Sequence, residues 1–203
     1  GEYSKRQTAE WDERSLYLTQ LGGEHQLVNL ADLRVEWKGS YSRSNAEEPD
    51  RKQVSYERGA SDVYSLKENY RTWSEIDETT GGGSFDVAKR WSGLELKTGA
   101  LYDRRQRDYG IKAHSTDPSY LTPGNYPLLT LPLAQIFAAE NYGAGKFQFI
   151  PITVFTGEYD GEHDLAAAYG MADVGRQVAG LDLRLVGGVR VEDSDIQVHS
   201  IAQ

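Results

Sequence analysis

Leu181-Asp-Leu-Arg-Leu-Val-Gly-Gly-Val-Arg-Val-Glu192 divides by position. Odd positions carry Leu181, Leu183, Leu185, Gly187, Val189 and Val191. Even positions carry Asp182, Arg184, Val186, Gly188, Arg190 and Glu192. In a strand, successive side chains point to opposite faces, so this period of two predicts one apolar face and one charged face.

The same split recurs through the chain. Leu33, Val35, Trp37, Gly39 and Tyr41 oppose Arg34, Glu36, Lys38, Ser40 and Ser42. Leu94, Leu96, Thr98, Ala100 and Tyr102 oppose Glu95, Lys97, Gly99, Leu101 and Asp103. Leu165, Ala167, Tyr169 and Met171 read as the apolar side of another strand, against Asp164, Ala166, Ala168 and Gly170. Phe85, Val87 and Trp91 make a shorter run broken by Lys89. Tyr17, Thr19 and Leu21 oppose Gln20, Gly22 and Glu24, with Leu16 and Leu18 off pattern. Six core strands are predicted, about 15–27, 32–45, 84–91, 94–112, 162–174 and 181–198. Several are longer than an ordinary soluble strand.

The connections alternate: short (28–31), long (46–83), short (92–93), long (113–161), short (175–180). An up-and-down barrel in an outer membrane has short periplasmic turns and long extracellular loops. On that reading strands 32–45, 94–112 and 181–198 run outward and the others inward. Residues 62–76 are a candidate strand within the first long loop. The predicted fold class is all-β, an antiparallel up-and-down meander, part of a large transmembrane β-barrel with long extracellular loops. Residues 1–203 form one partial barrel domain. A soluble antiparallel β-sandwich also alternates polarity and is the competing architecture.

Composition narrows the function classes. No apolar run approaches the roughly 18 residues of a membrane-crossing helix. There are 21 Gly, 13 Tyr and 4 Trp, which suits long strands and aromatic girdles better than helical bundles. The net charge of −9 repels a phosphate backbone and argues against nucleic acid as a partner. With no Cys there are no disulfides, thiolate metal sites or thiol nucleophiles. The opening Gly-Glu-Tyr-Ser-Lys-Arg has no signal-peptide character.

Several segments resemble the barrel region of TonB-dependent receptors. They are Leu18 to Leu27 with Leu33 to Asp50, Leu94 to Asp108, and Tyr159 to Asp173 with Leu183 to Glu192. The last is the most specific: Ala168-Tyr-Gly-Met171, a short turn, then Leu183-Arg-Leu-Val-Gly-Gly-Val-Arg-Val-Glu192. The resemblance covers nearly the whole chain apart from the long loops. It implies a 22-stranded barrel in the bacterial cell outer membrane that imports a scarce nutrient (a siderophore, cobalamin or a saccharide). It also implies loop capture of a small-molecule ligand, contact with outer-membrane lipid, and a plug domain and energy-coupling protein outside this chain. No plug or energy-coupling box is found, and His199-Ser-Ile-Ala-Gln203 lacks a terminal aromatic. The chain is therefore expected to be an internal fragment. The alternatives are a soluble β-sandwich binding module, with carbohydrate as a candidate ligand, and a complete small structural barrel.

The long loop 113–161 supplies the ligand-binding candidates Tyr120, Tyr126, Phe137, Tyr142 and Phe147, with Phe149 and Phe155 beside them. Aromatic rings on loops provide much contact energy. Against this stands simple packing of the loop on itself. Leu131 to Glu140 is expected to include a short helix. The acids Glu158, Asp160, Glu162 and Asp164, and Glu192, Asp193 and Asp195, offer oxygen ligands but match no calcium loop. They read as a solvated rim, so no metal and no cofactor is expected. The run Tyr102-Asp-Arg-Arg-Gln-Arg-Asp108 is expected to pair with Glu47, Glu48 or Asp50 across strands, or to contact an anion. Trp37, Tyr41, Trp91 and Tyr102 suit an interfacial girdle. The four histidines, His25, His114, His163 and His199, form no metalloprotease motif. No nucleophile elbow or phosphate loop is present, and Gly81-Gly82-Gly83 precedes a strand. Catalysis is not expected.

Overall fold

The computed structural model describes residues 3–30, 32–58, 63–152 and 157–201. Eight strands form one antiparallel sheet: β1 (Tyr3–Ala9), β2 (Glu13–Leu27), β3 (Leu33–Arg58), β4 (Tyr64–Trp91), β5 (Leu94–Thr116), β6 (Phe149–Pro151), β7 (Gly157–Val178) and β8 (Leu181–Ile201). Sequential long strands lie side by side as a meander. β1 and β2 lie end to end along β3, β1 on its outer half and β2 on its inner half. The three-residue β6 pairs with the end of β5. Among the described residues β8 pairs only with β7, and β1 and β2 pair only with β3, so the sheet is open at both borders.

β3 and β4 run far beyond their expected ends. The residues predicted as a long loop, 46–83, are instead strand up to Arg58 and again from Tyr64, and the candidate strand 62–76 is, from Tyr64 on, the first part of β4, with Asp62 outside the described residues. Their pairing is continuous apart from shifts between Glu48 and Arg51 and between Ser55 and Tyr56. The backbone ladder persists here while the apolar alternation stops. Glu75 and Asp77 share a face with Trp73 while Ile76 falls on the other, so both faces are mixed and the period is hidden.

The inner-end hairpins are tight. Ala179 and Gly180 both have positive φ (52° and 83°), as a two-residue turn matching strand twist requires. β4 and β5 turn through Ser92 and Gly93, and β2 joins β3 through residues 28–32.

The register assigns every long strand to two faces. One face carries Leu21, Val35, Trp37, Val87, Phe85, Leu96, Val174, Leu185, Val189 and Val191. Apart from the half-buried Val35 and Val87, these side chains stand open: Leu185 is 75% exposed and Val189 77%. Among the described residues no second layer covers them, as a sandwich would. β7 corrects the expected alternation. Leu165, Ala167, Tyr169 and Met171 pair with Ser194, Glu192, Arg190 and Gly188 and so belong to the charged face. The contribution of β7 to the apolar face is Ala166, Ala168, Gly170, Ala172 and Val174.

Residues 117–148 form a cap rather than extended loop. It contains 3-10 turns at Pro118–Tyr120, Pro123–Thr130 and Ala139–Asn141, and the short helix α1 (Leu133–Ile136) inside the expected helical stretch. The cap folds back over β4 and β3, and the only sizeable buried cluster forms there among the described residues: Val54, Tyr56, Leu66, Leu121, Ile136 and Phe147. The Tyr56 hydroxyl donates to the Leu131 carbonyl at 2.6 Å. Among the described residues no helix is long and apolar enough to cross a membrane.

Candidate functional site

The apolar face is a band with two borders. Its outer border is set by Tyr17 on β2, Tyr41 on β3, Tyr102 on β5, Ala166 on β7 and Val191 on β8. Beyond it, on the same face, come Arg43, Arg104, Asp164 and Asp193. Arg43 pairs with Asp77 at 3.4 Å, Arg104 with Glu162 at 2.5 Å, and Tyr102 donates to Asp164 at 2.5 Å. The inner border is set by the hairpins. Within the band polar atoms find partners: the Trp37 indole N–H donates to His25 Nε2 at 3.1 Å, and Lys89 lies 4.9 Å over the Trp91 ring.

Both borders climb across the sheet in parallel. Gly187 of β8 stands level with Ala172, Leu96, Lys89, Leu33 and Leu27. The band on β8 nevertheless reaches down to Leu181, about six residues lower along the strand. At the outer border, Val191 of β8 stands level with Trp37 and Gly23, while the band on β2 continues to Tyr17, again about six residues further. A rise of roughly 20 Å across five strand spacings, about 24 Å, corresponds to a strand tilt near 40°. Corrected for that tilt, the band is about 21–26 Å tall.

The charged face is where side chains converge. Tyr169 of β7 donates to Asp86 of β4 across the intervening β5, passing over Gly99. Arg34 of β3 reaches Glu95 of β5 at 3.8 Å, over the buried Ala88 of β4. Asp173 binds Arg184 through both carboxylate oxygens.

On the outer half of this face lies a groove of about 420 Å³ between β5, β7 and β8. Arg105, His163 and Ile196 share one row of the sheet; Arg107, Gly161 and Val198 share the next. Arg107 binds Glu78 with Nε and Nη2, and Arg105 Nε lies 3.7 Å from the same carboxylate. The expected partners of this basic run, Glu47, Glu48 and Asp50, lie elsewhere. Asp50 binds Arg71 at 2.5 and 3.1 Å, which holds its carboxyl below the usual carboxylate range. Tyr159 packs on Tyr109 with ring centroids 5.1 Å apart, and His163 Nε2 lies 3.0 Å from Ser194 Oγ. Sequence reasoning missed Glu78, Tyr159, Gly161, Ile196 and Val198. The signal available was that β8 changes parity: its apolar residues leave the odd positions after Val191 and return at even ones.

The loop candidates separate. Tyr120 and Tyr126 are exposed, at 47% and 54%. Phe147 is fully buried and Phe137 packs against it in the cap core. Tyr142 stacks on Phe149 at 4.2 Å, and burial pushes its hydroxyl pKa up to about 12. Phe155 lies outside the described residues. These rings do not converge on one pocket.

Glu158, Asp160, Glu162 and Asp164 project from one face of β7 at alternate positions, where Glu162 binds Arg104 and Asp164 accepts from Tyr102. Glu192 binds Arg190, while Asp193 and Asp195 point to the other face. Among the described residues no group of three His, Cys, Asp or Glu side chains is placed to hold a metal ion.

A second depression, about 660 Å³, lies over Thr98, Gly170 and Gly187 on the apolar face. Its lining is mainly apolar side chains and backbone, with Lys89 and Lys97 among it, whereas the polar-face groove sets two arginines beside an apolar wall. No protein-family model matches the chain, and no curated protein matches it.

Proposed function

We propose that this chain is a segment of a transmembrane β-barrel in the bacterial outer membrane, belonging to a receptor of the TonB-dependent kind that imports a scarce nutrient. The bilayer part of this reading is supported by the tilted apolar band. Outer-membrane barrels have strands tilted by about 35–45° and an apolar belt about 25 Å tall with aromatic girdles. A water-exposed apolar surface of this extent is otherwise a liability. The charged face would line the lumen, and the cap and outer strand halves would stand outside the membrane. The receptor part is supported by the sequence resemblance in β7 and β8. Ligand capture would take place on the outer half, with the plug supplied from outside this chain.

The four tryptophans provide the test. Trp37 and Trp91 lie in the band; Trp73 lies beside His114 under the cap, and Trp11 at the break between β1 and β2. Single-tryptophan variants reconstituted with brominated lipids should show strong quenching of Trp37, interfacial quenching of Trp91, and little of Trp73 or Trp11. Uniformly weak quenching, with a folded chain that needs no detergent, would overturn the reading.

A further inference from the structure

We propose that the polar-face groove between β5, β7 and β8 binds an organic anion that carries an apolar group, of the aryl or alkyl carboxylate class. This deepens the receptor reading by naming the chemistry of its ligand.

The first observation is charge. Two guanidiniums, Arg105 and Arg107, share the one carboxylate of Glu78. Each guanidinium has five N–H donors in a planar fork suited to a carboxylate. Arg105 makes only the 3.7 Å ion pair among the described residues, too long for a hydrogen bond, so most of its donors are unspent. His163 and Tyr159 add further polar groups at the same place.

The second observation is the apolar wall. Ile196 and Val198 stand 68% and 64% exposed on a face that is otherwise mostly charged. They do not continue the outer band, because they sit at even positions of β8, and Asp193 and Asp195 take the odd ones. They flank the guanidiniums at the heights of Arg105 and Arg107. A bare inorganic anion would use the arginines and leave this wall unsatisfied; a neutral apolar molecule would leave the arginines unsatisfied.

The third observation is the floor. Gly161 lies between Arg107 and Val198, and a Cβ there would meet only the Arg107 carbonyl oxygen at 3.8 Å and Tyr159 Cε2 at 3.9 Å. These are ordinary contacts, so the empty volume is not forced by backbone crowding. A larger side chain fits the fold and removes the groove.

The test uses the full chain folded in a nonionic detergent, with strand content checked by circular dichroism. Benzoate is titrated by ligand-observed NMR, with benzyl alcohol (ring without charge) and acetate (charge without ring) as comparison probes. Benzoate should bind at least about tenfold more tightly than either. Arg105→Gln and Arg107→Gln should each weaken benzoate severalfold, and Gly161→Leu should abolish its binding. Glu78→Gln should strengthen it, because the amide releases both guanidiniums. Equal binding of benzyl alcohol and benzoate, wild-type affinity in Gly161→Leu, or loss of affinity in a folded Glu78→Gln variant would each overturn the proposal. If the chain inserts into bilayers yet fails these titrations, the groove assignment falls and the barrel stands. If it folds without detergent and passes them, the barrel falls and the groove stands.

Discussion

The Tyr169 hydroxyl donates to the Asp86 carboxylate from two strands away, and the bond passes over the bare backbone of Gly99. A Cβ at position 99 would lie 2.4 Å from Asp86 Oδ1, 2.6 Å from Tyr169 Cε1 and 2.9 Å from the Phe85 carbonyl oxygen. The last of these is backbone and cannot move aside cheaply. Gly99→Ala should therefore destabilise the sheet by about 1–3 kcal/mol, and Tyr169→Phe by about 1 kcal/mol. Urea unfolding in detergent measures both. A double-mutant cycle with Asp86→Asn should show that the two partners do not add.

Leu185 stands near mid-height in the band. Leu185→Arg should cost about 2–4 kcal/mol in a bilayer, as an arginine at the midplane of a barrel's lipid face does. Asp193→Arg, on the same face beyond the border, should cost far less. Unfolding of the two variants in lipid vesicles distinguishes the positions; equal costs would place both in water.

The cap should loosen in alkali. Tyr142 is half-buried, and its buried hydroxyl has no hydrogen-bond partner among the described residues. Burial raises its folded pKa to about 12, above the ordinary value near 10. The neutral form is favoured in the folded cap, so this contribution is intact below pH 10 and is lost as pH rises from 10 through 12. Tyrosinate absorbance at 295 nm, followed with limited proteolysis of 117–148, should show the cap becoming cleavable over that window. Tyr142→Phe should remove this part of the sensitivity.

Acid acts at another point. Arg71 holds the Asp50 carboxyl below its ordinary value through two charge-assisted hydrogen bonds. That contribution is complete above pH 4 and fades as pH falls through the lowered value. Asp50→Asn should abolish it at neutral pH, costing about 1 kcal/mol or less at this partly exposed site. Cap protection by hydrogen exchange, compared at pH 7 and pH 3, reads the difference.

The legibility of these features follows the environment of each residue. The band was legible because one face of each strand there is apolar and the other charged. The outer halves of β3 and β4 were not, since both faces of Glu47–Arg58 and of Tyr64–Asp77 are polar or mixed and the period leaves no trace. β7 misled for a subtler reason. Its apolar-face residues are small, Ala166, Ala168, Gly170 and Ala172, and its charged-face residues include Leu165, Tyr169 and Met171, so hydrophobicity alone points the wrong way. Pairing with β8 settles the matter, and pairing is not written in β7 itself. The same holds for the groove. Arg105 and Arg107 are conspicuous in sequence, but Glu78 is brought beside them by the register of β4 on β5. The cap aromatics were legible as a group, and only the fold separates the buried Phe147 from the exposed Tyr126.

The open borders set a geometric rule for whatever lies beside them. β8 runs from its inner hairpin outward, with Leu185 and Val189 turned to the apolar side. On the proposed membrane reading, the row of amides and carbonyls on the side of β8 away from β7, unpaired among the described residues, must be satisfied by another strand. To continue the antiparallel alternation, that neighbour must run inward and present its own greasy side chains on the same surface. β2 at the opposite border has this direction and this facing. Each margin is thus shaped to receive a strand of the other's type.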